Sequence, residues 1–372
     1  MLIANAYGGE HRVKAAVLRE INKPLQIEDV AAANPAPREV LVRTVAAGVC
    51  HSDLHFQNGS YPYPLPSVLG HESAGVVEKV GSAVTYVKPG DHVITCLSAF
   101  CGHCEHCITG HMSLCAEPEL QRQAEQPARL TSGSDAVHQF LNLSSFAEQM
   151  LIHEHALVKI REDMPLDRAA LIGCAVTTGV GAVIHTAKVA PGETVAVIGC
   201  GGVGLSAING AAIAGAGRII AIDMVPQKLE LARKFGATDT INPGDGDPVE
   251  ALLEMTKGGA HHTFEAIGLK ATSEQAFKML QRGGTATIIG MIPVGTQIEL
   301  HGPDFLMERK IQGSNMGSNR FRVDMPRFVD FYLSGKLHLD DLISRRIKLE
   351  DVNEGLAALE GGEVARSVIM FE

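Results

Sequence analysis

Pro191–Val225 reads PGETVAVIGCGGVGLSAINGAAIAGAGRIIAIDMV. TVAVIG is a short, unbroken apolar run, as a strand buried on both faces requires. Gly199, Gly201 and Gly204 then follow as GxGxxG, a helix of small residues comes next, and a second apolar strand ends on Asp223, nineteen residues after Gly204. GxGxxG alone is a weak signal; between a strand and a helix, with an acid at this distance, it is the full dinucleotide-binding fingerprint. Gly199 permits the tight turn, Gly201 lets a pyrophosphate approach the backbone, and Gly204 lets helix and strand pack closely, while the helix N-terminus favours the phosphate charge. Asp223 accepts hydrogen bonds from ribose hydroxyls and repels a 2′-phosphate, which favours NAD over NADP.

Downstream the same alternation continues. Helices are expected over 227–237, 248–258 and 273–284, and strands over 238–242, 261–268 and 285–291. This pattern predicts a doubly wound parallel sheet of α/β class, with the cofactor at the carboxyl ends of its strands, near Ile267, Gly268, Ile289 and Gly290. Immediately upstream, 164–189 reads as helical, with Asp167 as a capping-type residue and Cys174 near the start of the helix or in a break within it.

Toward the N-terminus the text changes. From Val13 to about Val49 short β-type runs alternate with Pro-bearing turns, and the pattern resumes in SAGVVEKVGSAVTYVKPGDHVITC, which predicts a small antiparallel barrel. Between these runs lies GVCHSDLHFQNGSYPYPLPSVLGHE, Gly48–Glu72. Cys50 and His71 offer a soft sulfur and an imidazole nitrogen, donors that suit zinc, and Ser52, His55 and Glu72 offer groups able to move or stabilise protons beside it. A Cys–His pair alone is most often coincidence, and the bland reading of Cys50 is a buried apolar thiol. A catalytic zinc needs a third protein ligand and an open position, and the isolated Cys174 is the best-placed candidate.

CGHCEHCITGHMSLC places Cys101, Cys104, Cys107 and Cys115 in one loop with no apolar periodicity, which suits a closed tetrahedral zinc site that orders the loop. An iron–sulfur cluster or paired disulfides are the alternatives. His103, His106 and His111 read as solvated. Residues 116–137 are polar and aperiodic and are expected to form a surface excursion. Phe140 and Leu141 follow, as core residues next to the zinc region. From about Met316, two helices and short strands should return to the first domain.

At 372 residues, 45% apolar and 20% charged, the chain has room for two domains with substantial cores. Its net charge of −10 opposes nucleic-acid or anionic-membrane partners and leaves a small neutral substrate open. No signal-peptide core and no run approaching a spanning helix is evident, and the clustered cysteines suit thiolates in a reducing compartment, so a cytoplasmic protein is expected.

Together, GVCHSDLH, GHE, the CGHCEHC…C lobe, Cys174, GCGGVG with Asp223 and the late ARSVIMF resemble the zinc-containing medium-chain alcohol dehydrogenases over nearly the whole chain. The resemblance implies a GroES-like barrel domain over 1–178 and 316–372, an inserted Rossmann domain over 179–315, and an active site in the cleft between them. It implies NAD and two zinc ions per chain: Cys50, His71 and Cys174 as catalytic ligands with Glu72 behind the metal, and the four-cysteine lobe as the structural site. Ser52 and His55 look like the proton relay, Ser52 taking the hydroxyl proton and passing it through the nicotinamide ribose to His55 and solvent, with zinc lowering the pKa of the alcohol hydroxyl. His51 and Arg366 look like phosphate contacts and Lys228 like the ribose contact. Thr178 and Val203 resemble residues flanking the nicotinamide, and Gly202 belongs to the glycine turn.

The implied reaction interconverts an alcohol and its aldehyde or ketone, and the excursion after the lobe resembles that of dimeric members. Three positions depart from the family. Leu97 replaces a common aromatic of the substrate channel, Tyr61 stands where Leu is frequent, and Glu119 stands where the branch that oxidises the glutathione adduct of formaldehyde carries Arg. That branch, and a non-catalytic NAD-binding protein, are the rival readings.

Overall fold

The computed structural model describes residues 11–122, 126–362 and 365–372. The chain divides into two compact units: Met1–Cys174 with Arg320–Leu333 and Leu342–Glu372, and Ala175–Asn319 with Ser334–Asp341. The expected boundaries lie at 178 and 315; the units divide after Cys174 and Asn319, and Ser334–Asp341 returns to the second unit.

In the first unit His11–Leu18, Gln26–Ala32, Leu130–Ser132, Asp135–Gln139 and Ser67–Val68 close a five-stranded barrel. Val13, Ala15, Val17, Val30, Ala32, Val68, Leu130 and Val137 fill it. A seven-stranded sheet joins Leu157–Lys159, His92–Thr95, Glu72–Val80, Glu39–Val49, Ser367–Met370 and Arg345–Ile347 in that order, with Gln149–His153 on Glu39–Val49. The strand Glu39–Val49 is buried at nearly every position because it is paired on both edges, antiparallel to Glu72–Val80 over its whole length.

The expected excursion over 116–137 is corrected in part. Leu130–Ser132 and Asp135–Gln139 are barrel strands, and Arg122 and Arg129 reach the buried carboxylate of Glu39 at 2.5 and 2.7 Å. Polarity misled here: the arginines look solvated in sequence but serve a buried acid.

The second unit holds a six-stranded parallel sheet, ordered Asp239–Ile241, Arg218–Ile222, Thr194–Ile198, Ala260–Glu265, Leu280–Ile288, Lys310–Gly313. The sixth strand was not anticipated. The helix expected over 273–284 ends at Lys278, and the next strand already starts at Leu280, bulging so that Ala260 pairs with Leu280 but His262 with Thr285. Gly283, at φ +76°, makes that bulge possible, and its glycine pair had read as a helix end.

The run Leu166–Ala187 is helical throughout but changes winding, with π-helical turns at Ile172–Val176 and Ala182–Ala187. By length and composition it could cross a membrane, contrary to the sequence reading, but most of it is buried inside the protein, as a core helix is. Asp167 does not cap it; Pro165 stands at that position, and the Asp167 carboxylate pairs with Arg168 and Arg346.

Candidate active site

Cys50 follows the buried strand Glu39–Val49 and is the N-cap of the short helix His51–Gln57. Asp53, at the third helical position, folds back so that its Oδ2 accepts the Cys50 N–H at 3.0 Å. Its Oδ1 accepts from Gly70 N–H and from His71 Nδ1, both at 3.2 Å. One fully buried carboxylate thus ties together the two stretches that carry Cys50 and His71. Cys174 arrives from the π-helical turn Ile172–Val176, a winding often found where a side chain must be re-aimed.

The ligand atoms of Cys50, His71 and Cys174 lie within 4.8 Å of one another, and all three residues are buried. With Nδ1 held by Asp53, the tautomer that donates there leaves the lone pair on Nε2, and that atom is buried without a hydrogen-bond partner. An orphaned imidazole nitrogen facing two sulfurs fits zinc with three protein ligands and an open position. The hydrogen bond from Cys174 holds the Cys50 thiol well below its ordinary pKa despite burial, with Arg366 and His71 adding to the effect, while the same bond and burial raise Cys174.

Arg366, implied by resemblance at the cofactor phosphates, is buried beside Glu72 Oε1 at 3.3 Å and Cys50 Sγ at 3.5 Å. A buried guanidinium requires anions, and this pocket supplies a carboxylate and a thiolate. Glu72 therefore stands behind the sulfur of Cys50, paired with a cation.

Ser52 is half-buried, with Oγ 3.7 Å from Cys50 Sγ. His55, half-buried one turn on, has its pKa lowered by burial first and then by the charge of His51. His51 is exposed at the helix start, its ring 5.5 Å from that of His55. Tyr61 closes on His55 at 6.0 Å. Phe140, fully buried, stacks edge-on against Phe56 at 4.7 Å, Tyr63 at 5.2 Å and His71 at 5.8 Å. Leu141 sits beside it in a left-handed conformation, φ +47°, its N–H held by Tyr63 Oη at 3.2 Å. Leu97, in contrast, packs against the core around Val40, Val93 and Leu157.

In the lobe, Cys101, Cys104, Cys107 and Cys115 bring four sulfurs within 4.8 Å, with Cys101–Cys107 at 3.8 Å and Cys104–Cys115 at 3.9 Å. A tetrahedron with zinc–sulfur bonds of about 2.3 Å has edges of about 3.8 Å, so the set fits structural zinc. Backbone N–H groups of His103 and Cys104 point at Cys101 Sγ, and that thiol is lowered to about 7. His103 is exposed as expected, but it is paired, through Nε2, with Glu119 at 2.9 Å.

In the second unit Gly199 turns at φ +93°, and a Cβ on Gly204 would collide with its carbonyl, so neither position admits a side chain. At Gly201 nothing stands within 4 Å of where a Cβ would be, and with Gly202 and half-buried Val203 opening the helix Gly202–Ala214, the turn leaves a cradle that fits a pyrophosphate. Asp223 is fixed at its edge by the N–H groups of Cys200, 2.8 Å, and Val225, 2.9 Å, and Lys228 is half-buried in the next helix. Ile267, Gly268, Ile289 and Gly290 follow the carboxyl ends of their strands. Thr178 is buried, with Oγ1 3.3 Å from Met316 Sδ.

Sequence reasoning missed Asp53, which was legible as an acid three residues after Cys50, the capping-box spacing.

Residues 36–162 match the family model described as the alcohol dehydrogenase GroES-like domain, and residues 202–334 that of the zinc-binding dehydrogenases. The chain is 41% identical to an S-(hydroxymethyl)glutathione dehydrogenase of Photobacterium damsela subsp. piscicida over 366 residues, 96% of this chain and 99% of that protein. Among solved structures, it is similar to an alcohol dehydrogenase zinc-binding domain protein from Burkholderia ambifaria, with TM-score 0.93, 36% identity, and 98% and 100% of the two chains covered. It is also similar to the benzyl alcohol dehydrogenase of Acinetobacter calcoaceticus, with TM-score 0.92, 33% identity, and 97% and 100% covered.

Proposed function

Because this chain belongs to the zinc-containing medium-chain alcohol dehydrogenase family and is an NAD-dependent enzyme of that family, we propose that its preferred substrates are medium-chain or benzylic alcohols and the matching carbonyl compounds. The observation that carries this reading is the wall of Phe140, Phe56 and Tyr63 built against His71, which gives the metal centre an apolar flank. Such a surface gains affinity from apolar area at about 25 cal/mol per Å² before the costs of binding.

Cys50, His71 and Cys174 would hold the catalytic zinc, whose Lewis acidity makes a hydroxyl easier to deprotonate near neutral pH. NAD supplies the hydride acceptor. Asp53 fixes the His71 ring so that Nε2 faces the metal position, and Glu72 with Arg366 balances charge behind Cys50. Ser52 Oγ takes the proton of the substrate hydroxyl. His55, neutral at pH 7 because burial and His51 lower its pKa, accepts protons from the site, and exposed His51 beside it opens toward water.

The second reading, oxidation of the glutathione adduct of formaldehyde, is favoured by the name of the 41% identical relative. Against it stands Glu119, a carboxylate on His103 at the position where that branch carries Arg; facing a glutathione carboxylate it would repel. The test is a panel of alcohols, aldehydes and the adduct, followed by NADH absorbance. We expect kcat/KM for a medium-chain or benzylic alcohol to exceed that for ethanol by about tenfold or more, an effect of only ~1.4 kcal/mol. A highest kcat/KM for the adduct overturns the reading.

A further inference from the structure

Glu265 ends the strand Ala260–Glu265, at the carboxyl edge of the parallel sheet, and is fully buried. Its Oε1 alone accepts three hydrogen bonds, from the N–H groups of Ile267 at 3.0 Å and Gly268 at 2.8 Å and from Thr272 Oγ1 at 2.7 Å. Its main-chain carbonyl accepts two more, from the N–H groups of Ile289 at 2.8 Å and Gly290 at 3.0 Å. One residue therefore ties down the turns after two neighbouring strands. Oε2 is buried with no partner and lies against Gly290, so close that a Cβ there would collide with it. All the side-chain bonding of Glu265 therefore falls on one oxygen.

The turn it holds has a specific product. Gly268 takes φ +92°, and Ile267 is left 41% exposed, with its Cγ1 beside the Cα of Gly199 in the glycine turn. The turn that carries this isoleucine is held from beneath by three hydrogen bonds, one of them from its own N–H, and it stands beside the glycine turn, where a bound dinucleotide would cover it.

We propose that Glu265 is a positioning residue for NAD: without touching the cofactor, it sets the place of Ile267 as an apolar shelf beside the glycine turn. This rests on the reading that the second unit binds NAD at the carboxyl ends of its strands. Buried N–H groups are expensive to leave without an acceptor, so loss of the carboxylate lets the Ile267–Gly268 turn move toward other partners and takes the shelf with it. Because a single oxygen does the accepting, an amide in its place keeps the turn.

The test is NADH titration of the full-length protein by fluorescence, together with steady-state KM for NAD. Wild type comes first: if it binds no NADH, the cofactor reading itself fails, and this inference with it, before any variant is compared. Given wild-type binding, Glu265→Ala should weaken NADH by about tenfold or more, and Glu265→Gln should stay within roughly threefold of wild type. The loss should appear in KM for NAD more than in kcat, a split that general loosening of the fold does not produce. Ile267→Ala, at an exposed position with little effect on folding, should weaken NADH about as much as Glu265→Ala. Should Glu265→Ala not fold, Thr272→Val, which removes one hydroxyl donor, should still weaken NADH by roughly two- to fivefold, the scale of one hydrogen bond. Wild-type NADH affinity in Ile267→Ala, or equal damage from Gln and Ala at position 265, overturns the proposal.

Discussion

Asp53→Asn changes one atom and should loosen the catalytic-type zinc site. Asp53 Oδ2 accepts from Cys50 N–H, and Oδ1 accepts from Gly70 N–H and His71 Nδ1. The new amide has one acceptor for these two directions. If its oxygen serves Gly70 and His71, its NH₂ faces the Cys50 N–H, donor against donor. If it flips, its NH₂ faces Gly70 N–H and demands a lone pair on His71 Nδ1, which moves the proton to Nε2, the atom the metal needs. Either arrangement sacrifices a hydrogen bond to a charged acceptor, about 1.5–3 kcal/mol. If most of that falls on metal binding, zinc affinity drops by about 10–100-fold, or ~1.4–2.8 kcal/mol. Competition against a chromogenic zinc chelator measures it, and the four-cysteine lobe serves as an internal control that should keep its ion. A folded Asp53→Asn protein with wild-type zinc affinity at both sites would falsify the argument.

Cys104→Ala should release the lobe's zinc and lower thermal stability, because structural zinc binding is folding energy; one ion lost with the Tm unchanged would contradict it. Asp223→Gly should shift cofactor preference toward NADP by removing both the ribose acceptor and the repulsion of a 2′-phosphate, read as the ratio of kcat/KM for the two cofactors. Glu39→Ala leaves Arg122 and Arg129 buried without their anion and should cost about 3–5 kcal/mol in urea unfolding. Burial alone would raise the pKa of Glu39, but Arg122 and Arg129 bring it below its ordinary value. Its contribution is therefore complete above the unfolded value near 4.5 and lost as pH falls through the lower folded value, so wild type should lose more stability than Glu39→Ala on acidification. His55 is lowered by burial and by His51, so it stays neutral and proton-accepting down to below pH 6.5; the acid limb of kcat/KM assigned to it should lie under that pH and vanish in His55→Ala.

The sequence by itself determined what is written in short stretches. GxGxxG between an apolar strand and a small-residue helix specifies the cofactor turn because each glycine answers a steric demand within a few residues, as the collision at Gly204 illustrates. The four lobe cysteines were legible for the same reason: their ligand geometry is closed within one loop, Cys101–Cys115. Cys50, His71 and Cys174 were proposed from donor chemistry and resemblance, but their convergence depends on strands and a π-turn that come together only in the folded first unit. Tertiary structure alone decided that Asp53 holds both ligand stretches, that Arg366 lies against Glu72 and Cys50, and that Glu265 ties two turns together. It also decided that the polar text around Arg129 is barrel wall. Asp53 and Glu265 each join neighbours a few residues away to a stretch farther along the chain, while for Arg366 and Arg129 the counter-group itself, Glu72 or Glu39, is far away in sequence. Apolar periodicity reports which face a residue turns to the core, but the cost of burying a charge is met only by a specific counter-group, and which group that is becomes fixed when distant strands pair.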